Sequence, residues 1–193
     1  STPRIGFIQC VGSRNREKGR DYCSQVCCKI SLRHINKLIH LFPDIKISLF
    51  YIDLQIIGKE ARQKFASLSK NVELIQGVPF EVFAGENSMM DKKVSIIREN
   101  EDNGKRMADH FDMMVLSVGI KAPETTPFLT DMLDIPSDQW GFVNDHQFIS
   151  KKDIYVAGCA AGPVDILTAK QQGIDCAEYI INSLYPENRN NQN

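Results

Sequence analysis

Two short apolar runs, PRIGFIQ at residues 3–9 and IKISLFYID at 45–53, flank a segment in which Leu32, Ile35, Ile39 and Phe42 recur at spacings of three and four. The runs read as buried parallel strands, and the segment as an amphipathic helix that Pro43 stops. Together they predict a β-α-β unit whose crossover is right-handed, and therefore a parallel sheet. The connection from the first strand to the helix is long and unusual: CVGSRNREKGRDYCSQVCC, residues 10–28, holds four of the chain's six cysteines.

The pattern continues beyond the first unit. Residues 58–70 have helical character, and NVELIQG (71–77) reads as a third strand. FEVFAG, KVSIIREN and the run after the EDNG turn at 101–104 predict an antiparallel meander, and FDMMVLSVG (111–119) a buried strand returning to the sheet. Three prolines between 120 and 138 break the rhythm, which places a boundary near residue 122 and divides the chain into 1–122 and 123–193. In the second part, GFVNDHQFIS reads as a hairpin strand. KDIYVAGCAAGP reads as a strand entering a Gly/Ala turn, and about 164–184 as a helix before a polar tail. The fold class is α/β, a Rossmann-like domain with a meander, followed by part of a second domain.

Charge and composition narrow the function. The 193 residues carry a formal net charge of −1, with lysine plus arginine nearly equal to aspartate plus glutamate, which leaves no electrostatic footprint for nucleic acid or an anionic membrane. No apolar run reaches the ~20 residues that span a bilayer, and no signal peptide opens the chain, so the expectation is a cytoplasmic protein without membrane insertion. In such a setting clustered cysteines point to a metal or redox site rather than to structural crosslinks.

Cys10, Cys23, Cys27 and Cys28 form a C-x(12)-C-x(3)-C-C set. Four soft thiolates suit an iron–sulfur cluster or tetrahedral zinc. A helix beginning near Cys23 would put Cys23 and Cys27 one turn apart on one face, with Cys28 rotated by about 100°. Cys10 would reach over from the end of the strand. Arg14, Arg16, Lys18 and Arg20 would offset the thiolate charge. Against this stand ordinary burial, zinc in a structural docking module, and a vicinal dithiol at Cys27 and Cys28. Zinc usually prefers paired knuckles, and a vicinal disulfide is strained, so the cluster reading leads.

A dinucleotide-binding domain carries G-x-G-x-x-G after its first strand; this chain has QCVGSR there, and no such motif anywhere. Asp53, placed where an acidic residue would hold an NAD ribose, reads as a solvated turn aspartate. Cys159 and Cys176 read as buried, Trp140 as a packing residue, and His34, His40, His110 and His146 as lacking companions at metal spacing.

RIGFIQCVGSR, GRDYCSQVCC and the later DIYVAGCAAGPVDI resemble the A-type subunit of heterodisulfide reductase and its relatives, including the flavoprotein subunits of quinone-interacting oxidoreductase complexes. The resemblance covers residues 3–184. It implies a thioredoxin-reductase-like flavoprotein in which Cys10, Cys23, Cys27 and Cys28 bind a four-iron four-sulfur cluster (4Fe-4S). It also implies that residues 1–122 resemble the NAD(P) domain and 123–193 the end of the FAD domain. On this resemblance Gly158 approaches the FAD, while Asp165 and Ile166 lie at a helix start near its ring, whose reduced form the helix dipole would favour. Cys159 stands where most such flavoproteins have aspartate; the heterodisulfide reductase group shares this Ala-Gly-Cys form. The family's FAD phosphates sit on a Rossmann unit ahead of this region, so the chain is expected to be a piece of a longer polypeptide with an incomplete FAD site. The implied role is electron relay between FAD and the cluster, with other redox subunits of a complex as partners and a homodimer also admitted.

Overall fold

The computed structural model describes residues 2–56, 59, 61–68, 70–84, 93–100, 103–143 and 153–185. Two compact units share the chain: Ser1–Asn15 with Cys27–Gly119, and Arg16–Val26 with Ile120–Asn193.

The first unit is built on strands β1 (Arg4–Ile8), β2 (Lys46–Tyr51) and β3 (Val72–Gln76), helices α1 (Cys27–Leu41) and α2 (Ala61–Leu68), a meander of β4 (Glu81–Ala84), β5 (Val94–Glu99) and β6 (Arg106–Phe111), and a returning strand β7 (Met113–Leu116). The order β3-β2-β1-β7 is parallel throughout, and β4-β5-β6 is antiparallel. Alternation along each strand explains why the runs are apolar on both sides. Ile5, Phe7, Ile47 and Leu49 face Ile35 of α1 and Leu68 of α2. Ile8, Phe50 and Ile75 face Ile96 and Phe111 of the meander. Each such side chain stabilises the fold by about 1.5–3 kcal/mol through burial.

The expected β-α-β unit, third strand, meander and returning strand are all present. Three details differ. First, α1 begins at Cys27 rather than near Cys23, because Gln25 has φ +60, a left-handed conformation no helix continues through. Second, Phe42 lies one residue beyond α1 and is 57% exposed; its N–H closes the last turn on the Leu38 carbonyl, but its ring has passed the core.

Third, the proline-rich segment contains helix α3 (Thr126–Leu133), which has Pro127 in its first turn and ends at Asp134 with φ 50. Proline is tolerated where the first helical N–H groups have no partner, so here it marks a start rather than a break.

The second unit also contains a 3₁₀ turn (Gly158–Ala160) and helix α4 (Ile166–Leu184). The strand expected before that turn is not formed among the described residues. Ala157 is extended (φ −141, ψ 157), yet 154–157 has no ladder partner among them, and a strand requires one. The hairpin strand expected over 141–150 falls outside the described residues from 144 onward; of the rest, Val143 forms an isolated bridge with Ser137.

Candidate functional site

The cysteine connection changes units twice. Cys10, Cys27 and Cys28 belong to the first unit and Cys23 to the second. Within the first unit, β1 ends at Ile8, and after Gln9 the chain turns at Cys10 with φ 60 and again at Arg14 with φ 58. Left-handed conformations at non-glycine residues cost about 1–2 kcal/mol each, and with Gln25 three of them fall inside one motif. Gly12 lies so close to Val118 that a Cβ there would sit 1.7 Å from the Val118 carbonyl oxygen. A glycine that elsewhere would let phosphate approach here lets the chain approach itself.

Asp53 is paired rather than merely solvated: the Arg14 guanidinium hydrogen-bonds its carboxylate. That bond, helped by Gln55, holds the carboxyl below its usual range. The place of a ribose-binding acid is taken by a contact from the cysteine loop.

Within the second unit, residues 16–26 are held by an exchange at Ile120. Ser24 Oγ accepts from the Ile120 N–H at 2.9 Å, and the Tyr22 hydroxyl donates to the Ile120 carbonyl at 2.9 Å. The Tyr22 ring stands edge-on to Trp140 and Phe142, with centroids 5.3 and 5.6 Å away, and Trp140 Nε1 donates to Asp21 at 2.8 Å. Burial raises the Tyr22 pKa, against the positive charge of Arg20. Cys23 Sγ accepts the Gln25 N–H at 3.3 Å.

Tyr22, Cys23, Gln25, Trp140 and Phe142 line a cleft of about 370 Å³ whose other wall is Ala161, Gly162, Pro163 and Val164, with Gln172 from α4. Gln172 Oε1 accepts the Gly158 N–H at 2.8 Å, and Gly158 has φ 67. Asp165 caps α4, its carboxylate accepting Thr168 N–H at 2.9 Å and Thr168 Oγ1 at 2.8 Å. Ile166 is 86% exposed. The cleft wall is thus the stretch between Gly158 and Asp165, not those residues or Ile166 themselves. Cys159 is exposed, against the expectation of burial, because the 3₁₀ turn carries it outward; Cys176 is half-buried, its thiol directed at the Val156 carbonyl.

None of the six cysteines is in a disulfide. Among the described residues no three His, Cys, Asp or Glu side chains are gathered closely enough to hold a metal ion. What fits a cluster is the donor chemistry: four thiols, one of them already accepting a backbone N–H. Gln9, Ser24 and Gln172 are positions that sequence reasoning passes over. For Gln9 a signal is there, a polar residue ending an apolar strand.

Among the described residues no helix is long and apolar enough to cross a membrane. No protein-family profile matches the chain. It is 32% identical over 182 residues to the A-type subunit of the H(2):CoB-CoM heterodisulfide,ferredoxin reductase of Methanothermobacter marburgensis, covering 90% of this chain and 27% of that protein. It is 32% identical over 175 residues to an iron-sulfur A-type subunit of the CoB–CoM heterodisulfide reductase of Methanopyrus kandleri, covering 84% of this chain and 26% of that protein. The chain spans about a quarter of the length of these curated relatives. Thioredoxin reductase from Lactococcus lactis superposes on 93% of this chain and 54% of its own, with TM-score 0.54 and 18% identity, which shows the fold. Over some nine-tenths of its length the chain is a homologue of the A-type heterodisulfide reductase subunits, built on the fold of thioredoxin reductase.

Proposed function

We propose that this chain is the electron-relay portion of a larger heterodisulfide-reductase-A-like oxidoreductase, in which Cys10, Cys23, Cys27 and Cys28 ligate a 4Fe-4S cluster and the cleft of the second unit receives the ring of FAD. The observation that carries this reading is that Cys23 and the turn 161–164 line one cleft. A thiol of the cysteine motif and the turn that runs between Gly158 and Asp165 therefore share a cavity.

A flavin supplies two-electron chemistry and an iron–sulfur cluster one-electron transfer, so neighbouring sites for the two would join hydride-level reactions to single-electron carriers. The chain's own residues do the rest. Tyr22, Trp140 and Phe142 offer aromatic surface to the cleft. Gly162, with φ 151 and no atom within 4 Å of where a Cβ would stand, leaves that wall open to a planar ring. Arg16, Lys18 and Arg20 lie in the loop between Cys10 and Cys23 and give that stretch positive charge to set against a thiolate-ligated group. Gly158, Asp165 and Ile166 frame the turn, Asp165 by starting α4. The relative from Methanopyrus kandleri is named an iron-sulfur subunit, which supports the assignment of the thiols. Other redox subunits of such a complex would be the electron partners.

Anaerobic reconstitution with ferrous iron and sulfide tests the ligand set. The expected product is brown, shows an iron–sulfur EPR signal after reduction, and loses it in Cys27→Ser. A colourless protein holding one zinc would instead establish the structural module. FAD titration followed by quenching of Trp140, the chain's one tryptophan, tests the cleft.

A further inference from the structure

Gln9 is fully buried, and neither its side-chain nitrogen nor its side-chain oxygen has a hydrogen-bond partner. A primary amide taken out of water without partners is among the least favourable things a core can contain. Its position says what kind of partner would satisfy it.

The Gln9 N–H still bonds to the Phe50 carbonyl, so the β1 ladder extends to this residue, and alternation places Gln9 on the face of Ile5 and Phe7, the face covered by α1. The N-terminal end of α1 lies at this level. Ser117 N–H bonds to the Ile8 carbonyl, and Ser117 Oγ meets Ser31 Oγ at 3.2 Å. Cys28 stands one turn before Ser31 on the same buried face of α1, and Cys10 follows Gln9 directly with φ 60. An amide lacking partners thus lies on the α1 side of the first unit's sheet, next in sequence to Cys10 and on the side that carries Cys28.

We infer that Gln9 is a positioning residue for the sulfur-ligated group, its Nε2 donating a hydrogen bond to a sulfur held at Cys10 or Cys28 and thereby raising the group's reduction potential. Hydrogen bonds to sulfur favour the reduced, more negative state. The inference rests on the iron–sulfur reading above and adds to it a residue that is not a ligand.

The test compares the full chain with Gln9→Met, which keeps length without a donor, and Gln9→Glu, which places an acceptor there. Before iron is added, Gln9→Met should melt at a higher temperature than the parent, since it relieves an unpaired buried amide. After anaerobic reconstitution with ferrous iron and sulfide it should bind the same iron, with a lower midpoint potential and an altered EPR signal; Gln9→Glu should lower potential or iron uptake further. Equal iron with an unchanged potential in both variants overturns the proposal alone. A metal-free Gln9→Met that melts lower, or does not fold, overturns it too, because the amide then has a partner within the protein or a bound water. A parent chain that takes up no iron removes the iron–sulfur reading and this proposal with it.

Discussion

Arg14 donates a hydrogen bond to the carboxylate of Asp53, joining the cysteine connection to the end of β2. The pair occupies the corner of a Rossmann-like sheet where a nucleotide ribose would be held. It depresses the folded-state pKa of Asp53, so its contribution is complete above the ordinary carboxylate pKa and is lost as pH falls through the depressed value. Asp53 is half-exposed, so screening keeps the effect small. Asp53→Asn should cost less than about 1 kcal/mol in urea unfolding at neutral pH. In strongly acidic buffer the variant and parent should converge; a gap that persists there would mean the carboxylate charge is not what stabilises.

Gly12 and Gly19 provide a contrast within one loop. A Cβ at Gly12 meets the Val118 backbone at 1.7 Å, whereas Gly19, with φ 65, has nothing within 4 Å. Gly12→Ala should destabilise by about 3 kcal/mol or more, since backbone must move. Gly19→Ala should cost only about 1 kcal/mol, the strain of a left-handed alanine. Equal urea midpoints for the two variants would contradict the close approach.

Ser24 and Tyr22 together satisfy both backbone groups of Ile120. Ser24→Ala and Tyr22→Phe should each lower stability by about 1 kcal/mol. Because they share a partner residue, the double variant should depart from the sum of the two. Trp140 emission reports the loss directly, as its ring packs on Tyr22.

Asp165 is the N-cap of α4. Asp165→Ala should cost about 1 kcal/mol in thermal unfolding, and Asp165→Asn only a few tenths, because an amide oxygen can still accept the Thr168 N–H. If Asp165 serves the flavin as well as the helix, Asp165→Asn will weaken FAD quenching of Trp140 while leaving the melting temperature almost unchanged.

Local pattern was enough to determine the parallel strands, the helix between them and the meander, because burial on both faces of a sheet and on one stripe of a helix imposes periods of two and 3.6 on the residues themselves. The C-x(12)-C-x(3)-C-C spacing was equally plain, since it is written in residue identity. Local pattern misplaced the start of α1, where Gln25 adopts a positive φ that no propensity announces. It also missed the lack of ladder partners at 154–157 among the described residues. Only tertiary structure decided that Arg14 closes on Asp53, that Gly12 rests against Val118, and that Cys23 and residues 161–164 line one cleft. Each of these joins positions 39 to more than 100 residues apart, a separation over which sequence periodicity carries no information and packing alone selects the neighbour.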